Sequence, residues 1–408
     1  MTAARPHIVL FDLYAGGHHG QYLRQLIEHW GAQQRPGRLE VVVPPSFAGP
    51  HPDVPEAAAR FAGAGVSYSP LPEPVALPYD GPLGLVRTDR AHGRLLRETV
   101  RRLEPDHVVL MYADHVLLSL GLGLRLPGVA TLSGIYFRPS FHYRAFDGDD
   151  AGPKERLKRI EKRTRLRLAL RNPHLTHLFC LDPYVVPYAE RMAGGVAAVP
   201  LPDGITLHPP GRTPEATRTR WGVEPGRRVA LLFGVVDERK GVYPVIEALG
   251  RLPETAQRQV ALVLAGPVPE AERARQRAAI ERLRATSAVQ VVQDTRFIPD
   301  EEIQDLMRAA DLALVTYQRH VGSSNVLVRA ADAAVPVLGS SYGLVGEHLR
   351  RRRLGLPADA TDPRALADGF GRWLAGTLPF DADAARRFAA EHTADAYAAT
   401  ILDAVGGG

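Results

Sequence analysis

The chain has 408 residues, of which 45% are hydrophobic and 23% charged, with a net charge of +5 and one cysteine. This length favours two or three domains with substantial cores. The single Cys180 excludes a disulfide framework and a cysteine-built zinc site. The N-terminal residues do not resemble a signal peptide, and no apolar run reaches membrane-spanning length, so we expect a cytoplasmic protein.

Strand and helix patterns alternate along the chain as far as about residue 202 and resume at about residue 229. The apolar runs are continuous, which is typical of parallel strands buried on both faces. A stretch rich in Pro, Gly and Thr separates the two series at 202–226. We therefore predict an α/β fold with two doubly wound Rossmann-like domains facing across a cleft. Their predicted limits are 1–205 with about 386–408, and 215–385.

The segment 154–171 is strongly basic, with nine Lys and Arg residues and two acids. Leu157, Ile160, Thr164 and Leu168 recur at helical spacing, which predicts an amphipathic helix. A cationic helix of this kind suits an anionic membrane surface. The alternative is a solvated helix that docks on its own domain through its leucines. No zinc knuckle or recognition helix indicates a nucleic-acid partner.

In doubly wound folds, ligands bind at the carboxyl ends of the strands. The first strand is followed by "AGGHHGQYL", in which Gly16 and Gly17 permit close backbone approach before a helix. His18 and His19 can donate to a diphosphate or to a sugar hydroxyl. A plain strand–helix turn with exposed histidines is the alternative.

Three later loops have the same placement. In "FGVVDERKG", Arg239 and Lys240 precede a helix and suit a diphosphate. In "DTRFIPDEEI", the segment around Phe297 can border a nucleobase. The stretch "VGSSNVLVRAADAAVPV" begins another helix, and its backbone amides face the predicted ligand from Gly322, Ser323, Ser324 and Asn325.

The order and spacing of these loops resemble the retaining glycosyltransferases of the GT-B superfamily. The resemblance spans the second half of the chain, and in the first half it covers "AGGHHGQYL" and "VPLPDGI". It implies a nucleotide-sugar donor on the C-terminal domain and an acceptor on the N-terminal domain. It also implies that there is no cofactor and no catalytic metal, because cations and helix N-termini neutralise the diphosphate.

The resemblance also implies roles for single residues. Lys240 matches the family's phosphate lysine, and Arg239 can replace a companion arginine whose place holds Val235. The family often has a histidine after a central strand of the first domain, and its place falls at Ser133, with Arg138 and His142 close behind. We therefore name Arg239, Lys240, Ser133 and His142 as candidate catalytic residues.

This sequence departs from the family at two carboxylates. Their places hold Val321 and Arg329, the usual glycine before "PV" is Ala334, and Glu347 matches a later acid. Arginine has only donors, so Arg329 can bind ribose oxygens or phosphate but cannot accept from a hydroxyl. We expect Arg329 to lie outside the core and to reach ligand phosphate, ribose or Glu347. A salt bridge within its own domain is the alternative.

Losing a charged hydrogen-bonding partner at these carboxylate positions costs about 1.5–3 kcal/mol of donor binding free energy. The loss does not remove the diphosphate site. We therefore expect a divergent but active transferase, retaining and metal-independent, in polysaccharide or glycoconjugate biosynthesis. Its expected partners are a nucleotide-sugar donor, a carbohydrate, lipid-linked or small-molecule acceptor, and an anionic inner membrane face through 154–171. The main alternative is a lapsed GT-B protein that binds a sugar nucleotide or a partner without turnover. A sugar-nucleotide epimerase or hydrolase is a second.

Overall fold

The computed structural model describes residues 5–16, 18–72, 75, 84–128, 130–143, 152–192 and 194–406. The chain divides into two compact units. The first contains the described residues before Ile205 and the last helix, and the second spans Ile205–Thr393. The sequence predicts that the second domain ends at about residue 385, which lies inside a helix, whereas the second unit ends at Thr393.

The first unit is built on a parallel sheet of seven strands in the order β3-β2-β1-β4-β5-β6-β7. Helices connect successive strands, as right-handed crossovers require. The strands and helices are β1 His7–Phe11, α1 His19–Ala32, β2 Arg38–Val42, α2 Asp53–Arg60, β3 Val66–Tyr68, α3 Gly84–Leu103, β4 His107–Leu110, α4 Leu117–Gly121, β5 Thr131–Tyr136, α5 Pro153–Ala169, β6 Leu175–Cys180, α6 Val186–Glu190 and β7 Ala197–Pro200.

The second unit contains a parallel sheet of six strands in the order β10-β9-β8-β11-β12-β13. Every residue of the inner strand β9 is buried, which explains its continuous apolar sequence. The elements are α7 Pro214–Trp221, β8 Arg228–Phe233, α8 Val242–Gly250, α9 Glu254–Gln257, β9 Val260–Ala265, α10 Glu270–Thr286, β10 Gln290–Asp294, α11 Asp300–Ala309, β11 Leu312–Val315, α12 Asn325–Asp332, β12 Val337–Ser340, α13 Gly343–Arg352, β13 Gly355–Ala358, α14 Pro363–Leu374 and α15 Ala382–Glu391.

The last helix, α16 Ala394–Gly406, belongs to the first unit. Its Tyr397 and Ile401 are fully buried in the same core cluster as Leu23 of α1. The linker predicted at 202–226 contains α7, and from Ile205 onward it belongs to the second unit. Asp305 of α11 accepts hydrogen bonds there from the backbone N–H groups of Gly211 and Arg212.

Ala334 follows α12 with a left-handed φ of +53°. Its N–H donates to the carbonyl of Ala331, and the next N–H, of Val335, donates to that of Ala330. This is the helix-ending geometry that glycine adopts without steric cost. Alanine is strained there by about 1 kcal/mol.

We expect Ala334→Gly to raise the free energy of unfolding of the second unit by up to about 1 kcal/mol. The neighbouring Ala333 has a right-handed φ of −72°, so Ala333→Gly should lower that free energy by about 0.5–1 kcal/mol. Chemical denaturation measures both. If the two variants change stability in the same direction, the strain at Ala334 is refuted.

Candidate functional site

The strand order of the second unit reverses between β8 and β11. Loops that leave the carboxyl ends of two such strands diverge to opposite faces and leave a crevice that binds ligands. Here these loops are residues 234–241 and 316–324. The site is therefore built from two segments about eighty residues apart in sequence.

Direct hydrogen bonds join the two loops. The N–H of Gln318 donates to the carbonyl of Arg239 at 2.8 Å, and the Thr316 hydroxyl donates to the carbonyl of Lys240 at 2.8 Å. Gly241 lies at the contact with φ +76°, and a Cβ atom there would stand 2.3 Å from the carbonyl oxygen of Thr316. Only glycine permits this approach.

Both predicted cations converge on one ring, that of Tyr317. The Lys240 ammonium lies 5.1 Å from the ring centroid and donates to the Phe233 carbonyl at 2.5 Å. The Arg239 guanidinium lies 5.5 Å from the same centroid and stays about half exposed, 3.6 Å from Asp237. Lys240 is thus fixed and buried, whereas Arg239 can move onto a ligand.

The predicted glycine–serine loop reaches the same place. Ser324 caps α12 by accepting from the N–H of Leu327, and its hydroxyl donates to the Tyr317 hydroxyl at 3.3 Å. Gly322, Ser323 and Asn325 are half-buried beside it. The first-turn N–H groups of a helix in this position are potential anion-binding donors. Tyr317 was missed in the sequence, although an aromatic residue directly after a predicted strand was the available signal.

Phe297 lies on the loop between β10 and α11 and is 78% exposed. Its neighbour Arg296 is held by Asp294 and Glu302. The exposed Phe297 ring is available to stack on a planar group.

Arg329 does not lie where the sequence predicted. It is buried, with 4% exposure, and its Nη2 stands 3.8 Å from Oδ1 of Asp300. Its Nη1 has no hydrogen-bond partner in the described part of the chain. Burial lowers the pKa of Arg329, and the carboxylates of Asp300 and Asp332 oppose this shift. The prediction that Arg329 lies outside the core is wrong.

Glu347 is also not a partner of Arg329. It is buried in α13 and pairs with two arginines of its own helix, Arg350 at 2.8 Å and Arg351 at 2.7 Å. Val235 is exposed in the loop that carries Arg239 and Lys240. The resemblance places an arginine at this position, and the smaller valine leaves space there.

The sheet of the first unit reverses between β1 and β4. After β1, the buried Asp12 accepts from the N–H of Tyr14 at 3.0 Å and binds Nδ1 of His19 at 2.7 Å. Gly16 and His18 are exposed, with His18 directly before α1, whereas Gly17 lies outside the described residues. Asp12 therefore orients His19 at this edge, a contact that the sequence did not reveal.

An aromatic cluster surrounds His19. Its ring lies 5.6 Å from that of Tyr112 and stacks on Phe137 at 6.0 Å, while Tyr14 lies 5.1 Å from Tyr112. Tyr112 follows β4 and Phe137 follows β5, so parallel strand order brings these rings together. No periodicity in the sequence predicts the cluster.

Ser133 lies inside β5 rather than after it. Its side chain is fully buried and hydrogen-bonds Nε2 of His107 at 2.9 Å, and burial lowers the pKa of His107 to about 4. The residues that follow the strand are Phe137 and Arg138, whose N–H groups donate to Asp114. The sequence-based placement of Ser133 at a strand end is therefore wrong.

His142 is likewise buried, and its Nε2 lies 3.0 Å from Oδ2 of Asp182. The structure does not bring His142 and Ser133 together with Arg239 and Lys240 within one unit.

Residues 227–375 match the family model of glycosyl transferases group 1. Solved structures show the fold. The structure of sucrose-phosphate synthase from Thermosynechococcus elongatus has a TM-score of 0.69 and 17% identity, covering 99% of each chain. This likeness shows the fold, two Rossmann-like domains of the GT-B type.

Two further structures share this architecture. Anabaena HepE, solved with UDP, gives a TM-score of 0.65 and 16% identity over 98% of this chain and all of that one. A trehalose-phosphate synthase (UDP-forming) from Burkholderia vietnamiensis gives 0.64 and 14% over the whole of both chains. No curated protein sequence matches the chain.

We expect Ser133→Ala to lower the free energy of unfolding by about 1–3 kcal/mol, because it leaves a buried ring nitrogen of His107 without its partner. The transfer rate per folded molecule should stay unchanged. Denaturation and initial rates at matched folded concentration measure the two effects. A large loss of rate without a loss of stability would restore Ser133 as a catalytic candidate.

Proposed function

We propose that the protein is a glycosyltransferase that moves a sugar from a nucleotide-sugar donor to a carbohydrate, lipid-linked or small-molecule acceptor. We further propose that transfer proceeds with retention, which the resemblance implies, and without a catalytic metal. The observation that carries the proposal is the pair Arg239 and Lys240 on Tyr317, at the ligand edge of the second sheet.

The role of these residues in catalysis follows from the charges that develop during glycosyl transfer. Glycosyl transfer develops positive charge at the sugar and negative charge on the departing diphosphate. Lys240 supplies a fixed cation, Arg239 an exposed guanidinium suited to two phosphate oxygens, and the start of α12 supplies backbone N–H groups. These groups neutralise the leaving group in the way that a divalent cation does elsewhere.

The similar structures support a nucleotide-sugar donor. Anabaena HepE was solved with UDP and with UDP-glucose. The rival function is a lapsed protein that binds without turnover, and the absence of a carboxylate at Val321 and Arg329 favours it. A measurement of sugar transfer distinguishes the active transferase from the lapsed protein.

The test is incubation with UDP-glucose, and then with the glucose donors of the other nucleoside diphosphates. We expect slow nucleoside diphosphate release that persists with EDTA and quickens with an acceptor, and an α-linked product by NMR. Binding without release favours the lapsed protein. A β-linked product refutes retention, and loss of activity with EDTA refutes metal independence.

Arg239→Ala should lower kcat/KM by about 10- to 100-fold, the loss of one charged hydrogen-bonding group. Arg239 is preferred to Lys240, because Lys240 is buried and its removal would also leave the Phe233 carbonyl without its donor. Arg251→Ala is the matched control: that arginine is also exposed but pairs with Glu247 at the far end of α8. Equal rates for both variants would contradict the diphosphate role.

We also propose that α5 contacts an anionic membrane surface and so favours a lipid-linked acceptor. The described helices include none that is long and apolar enough to cross a bilayer. On α5, however, Leu157 is 69% exposed and Ile160 is 62% exposed, whereas Arg159 and Leu166 are buried. The helix therefore does not dock through Leu157 and Ile160, and these side chains stand among cations.

The double variant Leu157→Ser and Ile160→Ser should reduce co-sedimentation with phosphatidylglycerol vesicles by several-fold, since it removes the apolar contribution. Wild-type binding should fall with added salt and be weak to phosphatidylcholine vesicles. Leu85→Ser is the control, because Leu85 is exposed to a similar degree on α3. Equal recovery from both kinds of vesicle would refute the membrane contact.

A further inference from the structure

Asp12 fixes the hydrogen-bonding state of His19 at the ligand edge of the first sheet. A carboxylate has only acceptors, so the contact of 2.7 Å between Oδ2 of Asp12 and Nδ1 of His19 requires that Nδ1 carries a proton. The other oxygen, Oδ1, accepts from the N–H of Tyr14 at 3.0 Å, so both oxygens of the carboxylate act as acceptors. In the neutral imidazole, Nε2 of His19 therefore presents a lone pair.

This lone pair is not used within the described part of the chain, where Nε2 of His19 makes no hydrogen bond. The His19 side chain is 14% exposed, whereas that of Asp12 is fully buried. Three rings fix the imidazole, with centroids at 5.5 Å for Tyr14, 5.6 Å for Tyr112 and 6.0 Å for Phe137. A fixed imidazole with a buried carboxylate on one nitrogen and an open second nitrogen has the arrangement of a general base.

Two further histidines contact the same aromatic cluster but lack this arrangement. His92 stacks on Tyr14 at 5.7 Å, and its Nδ1 contacts the main-chain carbonyl of Thr88 rather than a carboxylate. His115 lies 5.1 Å from Tyr14. Burial lowers the pKa of both histidines, that of His115 to about 4, so both rings are uncharged near neutral pH. The base chemistry of the cluster therefore belongs to His19.

The open nitrogen of His19 selects the kind of group that binds to it. Phosphate oxygens accept hydrogen bonds, so a neutral His19 with its proton on Nδ1 has no donor for a diphosphate. A hydroxyl group can donate to Nε2, and the half-buried rings of Tyr112 and Phe137 suit the apolar face of the molecule that carries it. This edge therefore favours the hydroxyl-bearing reactant of a transfer, which is the acceptor.

We propose that His19 is the general base that takes the proton from the acceptor hydroxyl, with Asp12 as its positioning residue. The inference rests on the proposed function, because it assigns a residue to that transfer. As the hydroxyl oxygen bonds to the anomeric carbon, its proton moves to Nε2, and the bond from that carbon to the diphosphate breaks. The electron pair of this bond leaves with the diphosphate, and Asp12 stabilises the imidazolium until the proton passes to solvent. The inference holds for either anomer of the product, because it concerns the proton and not the face of attack.

The experiment compares a nucleophile that must lose a proton with one that carries none. Release of UDP from UDP-glucose by the full chain is measured near neutral pH with water as the acceptor. It is measured again with sodium azide, whose anion attacks without deprotonation, and glycosyl azide is detected by mass spectrometry. Where another nucleoside diphosphate glucose is the better donor, it replaces UDP-glucose.

We expect His19→Gln to slow release to water by about 10²- to 10⁴-fold, the usual contribution of a general base. The same variant should form glycosyl azide within about 3-fold of the wild-type rate, because azide needs no base. Its affinity for UDP, measured by calorimetry, should also stay within about 3-fold, because the inference gives His19 no contact with the diphosphate.

Asp12→Asn tests the positioning role, because the asparagine amide can donate to Nδ1 and so favour the tautomer that has its proton on Nε2. It should slow release to water and spare azide, as His19→Gln does. His29→Gln is the matched control: His29 lies at the other end of α1 and also pairs with a carboxylate, that of Asp395. This control should keep the wild-type ratio of the two rates. Because His19 is partly exposed, His19→Gln decides the question even where Asp12→Asn fails to fold.

The contrary outcomes are distinguishable. Equal slowing of water and azide by His19→Gln, or a loss of UDP affinity, overturns the inference and shows that His19 binds the donor or supports the structure. An unchanged rate with water overturns it as well, as does the formation of no glycosyl azide by either protein. Release of nucleoside diphosphate by wild type from none of the donors overturns the proposed function itself.

Discussion

The candidate donor site depends on the hydrogen bonds between the loop after β8 and the loop after β11. The contacts of Gln318 with Arg239 and of Thr316 with Lys240 are made through main-chain carbonyls. Backbone positions are set by the sheet, and β8 and β11 are adjacent in it. The backbone that carries the two cations is therefore held in place before any ligand arrives, which reduces the ordering cost of binding.

The charged residues of the second unit differ in whether the protein itself supplies their partners. Lys240 and Glu347 have their partners within the protein, so their charges are stabilised in the free state. Arg239 is half exposed, and Arg329 is buried without a close partner. Arg239 can gain from a bound group, because an exposed guanidinium keeps its donors available.

The first unit places a different chemistry at its own switch point. Asp12 and His19 form a carboxylate–imidazole pair inside a set of aromatic rings, and no cation cluster is found there among the described residues. Aromatic rings with a few oriented polar groups suit a sugar or another hydroxylated molecule better than a diphosphate. The two units thus place different chemistry at their switch points.

The sequence by itself determined the fold class and the loops that carry the site. Continuous apolar strands alternating with helices can form only parallel sheets covered on both faces, and loops after such strands meet at one edge. Arg239, Lys240 and Ser324 were found in this way, and the structure brings them together at Tyr317.

Only the tertiary structure decided which side chains are exposed and which are buried. Leu157 and Ile160 have the spacing of a docked face yet are exposed, because Arg159 and Leu166 face inward instead. Ser133 lies within a strand, bound to His107, and Arg329 is buried near Asp300, which is 29 residues away in sequence. Helical periodicity shows that a helix has two faces. Which face is buried, and which distant residue meets it, depends on packing between elements that the local sequence does not encode.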